Sequence, residues 1–166
     1  MLDIFAEKYQ NIRTLVQAQE MDDENRQSYL NNFCETNEDT MLAFAVMGGA
    51  FSEGIDLKGE RLIGAAIVGV GLPLISEERN VISSYYNRYS DNGFAFAYQY
   101  PGMNKVLQAA GRVIRSETDR GVVMLLDTRY NEDSYKNLFP PEWNGFARIG
   151  GCGSETLVNY LQAFWA

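Results

Sequence analysis

The chain has 166 residues, 46% of them hydrophobic, and a formal net charge of −8. That length and apolar content suit one globular domain with a real core, and no run approaches the ~18 apolar residues that a membrane span requires. The complete absence of histidine removes Ser-His and Cys-His nucleophile schemes and histidine metal sites.

In chain order, Leu2 to Lys8 has the periodicity of a helix and too many charges for a signal peptide, and Ile12 to Gln17 suits a short strand. Asp22 and Asp23 can cap a helix that runs through Tyr29, Leu30 and Phe33. Met41 to Met47 and Leu62 to Val70 are apolar runs of strand length, of the kind found in a parallel sheet covered on both faces. Ser76 should start a helix to Tyr89, with Glu77 and Glu78 in its first turn. A further helix is predicted from Pro101 to Arg115, a strand from Gly121 to Leu126 and a short helix from Asn131 to Leu138. The pair Pro140-Pro141 breaks the chain before a closing amphipathic helix from Ser154 to Phe164. Alternating strands and helices imply an α/β layered domain with right-handed crossovers, and there is no internal repeat or low-complexity linker.

Cys34 and Cys152 lie far apart with no CxxC spacing, which reads as two unpaired thiols in a reducing, cytoplasmic setting. An Fe–S cluster needs more thiolates than this. The acidic residues gather at 20–24, 35–39, 77–78 and 132–133, as solvated loops and helix starts.

Two stretches carry chemistry. In Gln108-Ala109-Ala110-Gly111-Arg112-Val113-Ile114-Arg115 two arginines stand three residues apart behind a glycine. On a helix such residues are neighbours, so both planar guanidinium forks could meet one phosphate; the bland alternative is a solvated or ion-paired face. Upstream, Gly48-Gly49-Ala50-Phe51-Ser52-Glu53-Gly54-Ile55-Asp56-Leu57-Lys58-Gly59 is a glycine-rich loop that closes an apolar run.

Together these stretches resemble motifs V and VI of the XPD/DinG family of superfamily 2 DNA helicases, whose patterns read approximately SEGIDxxG and QxxGRxIR. Gly71-Leu72-Pro73, Asp119, Gly121 and Asp127-Thr128-Arg129 follow the family pattern in the same order, so the resemblance spans Leu2 to Tyr130. It implies a RecA-like three-layer α/β/α fold with a mainly parallel sheet, residues 1–166 forming the second of two motor lobes. In the family a strand ending in motif IV precedes the first helix; only Met1 precedes Leu2 here, so that first strand is expected to be lacking. There is no GxxxxGK[ST] phosphate loop and no strand that ends in an Asp-Glu pair. The resemblance therefore implies that ATP and Mg2+ are held mainly by a first lobe of the same polypeptide, and that this chain alone is a poor enzyme.

The resemblance also implies individual roles. Arg112 and Arg115 match the finger positions that stabilise charge on the γ-phosphate. Gln108 would bond near the nucleotide and aim an arginine, or be an ordinary exposed glutamine, while Gly111 could let its helix approach a neighbour. Asp56 would meet ribose or brace an arginine, and Ser52, Glu53, Gly54 and the amides around them would couple nucleotide to a single-stranded DNA track. Turn chemistry is the competing reading for Glu53 and Asp56. Gly48, Gly49 and Gly54 are most simply conformational. Asp127 and Arg129 are expected to pair with each other or with the arginine helix.

The aromatic residues Tyr85, Tyr86, Tyr89, Phe94, Phe96, Tyr98 and Tyr100 are expected mostly in the core. A surface this acidic is expected to bind DNA weakly by itself. Two other readings stand beside the motor lobe: a stand-alone α/β module that docks nucleic acid or protein without ATPase activity, and an unrelated α/β enzyme that holds a phosphate ligand on its glycine loop.

Overall fold

The computed structural model describes residues 2–18, 20–34, 39–48, 57, 61–150 and 154–166. It begins with helix α1 (Leu2–Lys8), which carries Asp3 in its first turn and Lys8 in its last, each sign where the helix dipole favours it. Its Phe5 ring lies 6.0 Å from Phe44 of the sheet. Strands β1 (Arg13–Val16) and β2 (Met41–Phe44) pair in parallel, with Arg13 opposite Met41 and Val16 opposite Phe44. The ladder is prolonged by the Gln17 N–H, which donates to the Phe44 carbonyl at 2.8 Å, and by the Val46 N–H, which donates to Gln17 Oε1 at 2.8 Å.

Between them lies α2 (Asp23–Leu30), capped as expected by Asp22, whose carboxylate accepts from the Asn25 N–H at 2.8 Å. The helix stops short of Phe33 because Asn32 turns its amide back onto the carbonyls of Ser28 and Tyr29, at 2.8 and 3.1 Å. Side-chain capture of terminal carbonyls competes with another helical turn.

A second parallel pair joins β3 (Gly64–Val68) to β4 (Val122–Leu126), with Gly64 opposite Val122 and Val68 opposite Leu126. Among the described residues the strands thus form two parallel pairs. Parallel neighbours require a crossover; here it runs through α3 (Glu77–Ser90), a stretch of π-helix (Ala95–Gln99) and α4 (Tyr100–Ala110). Ser76 caps α3 by accepting from the Arg79 N–H at 3.3 Å. The helical run containing Pro101 starts earlier than the sequence suggests. Proline cannot donate within a helix, and the run meets it with widened turns, the Tyr100 N–H reaching back to the Ala95 carbonyl. A 3-10 turn (Thr128–Asn131), a one-turn helix α5 (Asp133–Lys136), a second 3-10 turn (Pro141–Trp143) and α6 (Ser154–Trp165) complete the described elements.

The core sits where α4 crosses β3. Ile67 and Val70 meet Met103, Val106 and Ala110 of α4, and Tyr130 and Tyr135 close the cluster from beyond β4. The Tyr130 hydroxyl donates to the Gly69 carbonyl at 2.7 Å, and burial pushes its phenol up to about 12. Gln99, the buried polar side chain of the π segment, is satisfied by the Ser134 carbonyl at 2.9 Å. The faces of the second pair are unequal, with Ile67 buried and Val68 52% exposed. No helix among the described residues is long and apolar enough to cross a membrane.

Candidate functional site

Arg112 and Arg115 do not lie on a helix face. Helix α4 ends at Ala110, Gly111 is its C-cap, and the chain continues in tight turns in which the Arg112 N–H donates to Ala109 at 3.2 Å and the Val113 N–H to Ala110 at 3.1 Å. Three causes end the helix. Glycine is a poor helix former. Val113 turns inward and is only 2% exposed, its Cγ1 lying where a side chain on Gly121 would be. Asp119 then captures the next amides, its Oδ2 accepting from the N–H groups of Arg115 at 2.8 Å and Ser116 at 3.0 Å.

The two arginines thus flank a buried valine, both half-buried themselves and both engaged with neighbours. Neither Val113 nor Asp119 was assigned this part from the sequence. The signal that could have found them was the polar turn Ser116 to Asp119 directly after the arginines.

Gln108 is exposed in the last turn of α4, one turn before Arg112. Gly111 is exposed too, and a Cβ there would meet only the Leu107 and Gln108 carbonyls, at 3.2 and 3.8 Å. It serves the end of its own helix, not the expected close approach to a neighbouring element. Ser52, Glu53, Gly54 and Asp56 lie outside the described residues, as do Gly49 and Gly59. The entry to their loop is described: Gly48 has φ +78°, the positive range that glycine adopts without strain, and the Lys105 side chain of α4 lies against it.

Gly48, Gly71 and Asp127 stand just beyond the C-terminal ends of their parallel strands, where α/β folds place their ligands, whereas the arginine turn packs on Gly121 at the start of β4. The glycine loop follows β2, Gly71 follows β3, and Asp127 follows β4. Asp127 and Arg129 pair with each other, Nε to Oδ1 at 2.9 Å and Nη2 to Oδ2 at 2.7 Å. The Arg129 guanidinium holds the Asp127 carboxyl down at about 2. Of the two partners expected for Asp127, the neighbour two residues on is therefore the one observed.

The aromatic residues depart from expectation. Tyr85, Tyr89, Phe94, Phe96 and Tyr100 are exposed, and they pack on one another: Tyr86 stacks on Phe96 at 3.8 Å, Phe94 on Tyr98 at 5.6 Å. Rings that cover one another need no core. The acidic groups of the described residues form no cluster of three or more able to hold a metal ion.

The arginine turn follows α4, the helix whose Lys105 side chain lies against Gly48 at the entry of the glycine loop. The family model of the helicase C-terminal domain matches residues 1–146. The chain belongs to that family. Its XPD/DinG-like character is supported by individual relatives. It is 36% identical over 127 residues to the ATP-dependent DNA helicase chl-1 of Caenorhabditis elegans, covering 75% of this chain and 15% of that protein. It is 30% identical over 114 residues to the general transcription and DNA repair factor IIH helicase subunit XPD of Dictyostelium discoideum, covering 66% of this chain and 14% of that protein. A solved XPD helicase structure superposes with a TM-score of 0.58 over 82% of this chain and 25% of its own, at 22% identity, which shows a shared α/β, RecA-like fold. This lobe therefore spans about one-seventh of the length of the curated relatives it matches.

Proposed function

We propose that this lobe is the second motor lobe of an ATP-dependent DNA helicase, which closes on ATP and Mg2+ held mainly by a first RecA-like lobe of the same polypeptide. In this reading Arg112 and Arg115 stabilise charge on the γ-phosphate as the lobes close. Gln108 bonds near the nucleotide and Gly111 frees the backbone beside it. Asp56, Glu53 and Gly54 meet the nucleotide side of the loop, and Ser52 meets a single-stranded DNA backbone. The domain is a three-layer α/β/α sandwich in the complete motor.

The observation that carries this reading is the arginine turn. Its backbone is pinned by buried Val113 on one side and by the Asp119 carboxylate on the other, so the arginines leave a fixed frame rather than a mobile helix end. Electrostatic stabilisation of a transferring phosphoryl group depends on charges that are positioned before the reaction.

The test is steady-state ATP hydrolysis with and without single-stranded DNA by the complete protein. Arg112→Ala and Arg115→Ala should each lower the DNA-stimulated rate by roughly 10³-fold or more, the scale of arginine fingers. Lysine at either position should restore little, because it lacks the planar fork. Near wild-type turnover by both folded alanine variants rejects the assignment. The 166-residue chain alone should not hydrolyse ATP above background.

A further inference from the structure

Building on the motor-lobe reading, we propose that Lys105 is a positioning residue that links the entry of the glycine-rich loop to the arginine turn. Gly48 is the first glycine of that loop, and its φ of +78° points the place of its missing side chain at α4. A Cβ there would lie 3.0 Å from Lys105 Cδ, 3.1 Å from Cε and 3.4 Å from Nζ. The end of the lysine, ammonium included, thus rests in the space the glycine leaves open. Lysine ordinarily extends its ammonium into water; Lys105 is instead half-buried, laid along backbone.

The helix beneath it has little freedom to give. One turn earlier Gly102 meets the exit of β3 backbone to backbone, the Gly102 carbonyl lying 2.7 Å from where a Gly71 Cβ would be. Val106, one turn on from Gly102, and Met103 beside it anchor the helix in the core. Gly102, Lys105 and Gln108 recur at three-residue steps, so they lie along one side of α4. The same helix runs into Gly111 and the arginine turn. With α4 held in place between them, Lys105 would keep Gly48 and the entry of its loop at a set position relative to the arginine turn. The side chain would touch neither nucleotide nor DNA; it would set the loop's position relative to the arginines.

Two measurements test this. In the complete protein, ATP hydrolysis is followed against ATP and against an oligothymidylate. Lys105→Ala should lower the fold-stimulation by the oligonucleotide at least ~5-fold, the lower end of coupling between sites. The unstimulated kcat and the KM for ATP should stay as in wild type, and Lys105→Met, which keeps most of the stem, should recover part of the stimulation. Equal loss of basal and stimulated rates, or full stimulation in Lys105→Ala, overturns the proposal. In the 166-residue chain itself, amide hydrogen exchange reports on the link without any ATPase. Lys105→Ala should speed exchange after Phe44 and leave β4 unchanged. An unchanged loop overturns the link even if the motor reading stands. A faster loop in a complete protein whose Arg112→Ala variant hydrolyses ATP normally would uphold the contact and reject the motor reading beneath it.

Discussion

Val113 fills the space that a side chain on Gly121 would occupy, so the arginine turn and the start of β4 are fitted to each other through a missing Cβ. The Ile63 carbonyl, 3.1 Å from the same point, closes the other side. A buried valine between two arginines is thereby fixed to the sheet, and whatever the arginines do, they do from a frame set by β3 and β4.

Gly121→Ala should therefore destabilise the chain by roughly 1–3 kcal/mol, the usual cost of overpacking a filled site. Val113→Ala should cost about as much on its own, through lost burial of a fully covered side chain. The pair should be non-additive, because shortening Val113 makes room for the new methyl. Urea unfolding of the two single variants and the double variant checks this. Simple addition of the two losses would mean that the residues do not share the space.

Asp119 holds the other side of the turn, and its removal should be felt locally. Asp119→Ala should cost about 0.5–2 kcal/mol, as does loss of a carboxylate that caps free amides. The Arg115 and Ser116 amides should exchange faster with solvent, as their acceptor is gone. Asp119→Asn keeps an acceptor oxygen and should fall between the two. Exchange at those two amides that does not change in Asp119→Ala would show that the turn is held by Val113 alone.

The Asp127–Arg129 pair predicts a pH dependence with a definite sign. The folded carboxyl is lowered from 3.8 to about 2, so folding favours its ionised form. Its contribution is fully present above pH 4 and is lost as pH falls through about 2. The Arg129 side chain is 40% exposed, so water screens the pair and the contribution should stay below about 1 kcal/mol. Urea midpoints taken from pH 5 to pH 2 should fall less steeply for Asp127→Asn than for wild type. Parallel curves would remove the pair from the stability of the fold.

The capping residues were legible because their signal is local: Asp22 and Ser76 sit one residue before their helices and bond three residues on. The parallel strands were legible from apolar runs, and the Asp127–Arg129 pair as one of the two pairings expected for those residues. The end of α4 was not, because local periodicity continues through Arg115 while the contact that stops it comes from Gly121 and the capture comes from Asp119. The aromatic residues misled for a related reason. Density of rings suggests burial, yet Tyr86 and Phe96 cover each other at the surface. Family motifs named the arginines without the shape of the turn that carries them.

The seating of α4 gives the last prediction, in which the usual sign of a substitution reverses. Replacing a glycine inside a helix by alanine ordinarily gains about 1 kcal/mol, because glycine loses more backbone freedom on folding. At Gly102 the added Cβ would stand 2.5 Å from the Val70 carbonyl and 3.2 Å from Gly71 C and Leu72 N. All of these are backbone atoms, and Val70, only 1% exposed, is locked in the core. The helix would have to lift from the exit of β3, and Met103 and Val106 would lose contact with Ile67 and Val70. Gly102→Ala should therefore lose roughly 1–3 kcal/mol. Asn104→Ala, at an exposed position of the same helix, should gain a few tenths through helix propensity alone. Both are read from urea or thermal midpoints. A Gly102→Ala variant as stable as Asn104→Ala would show that α4 is not seated on the β3 exit, and would remove the fixed base from which Lys105 and the arginine turn are held.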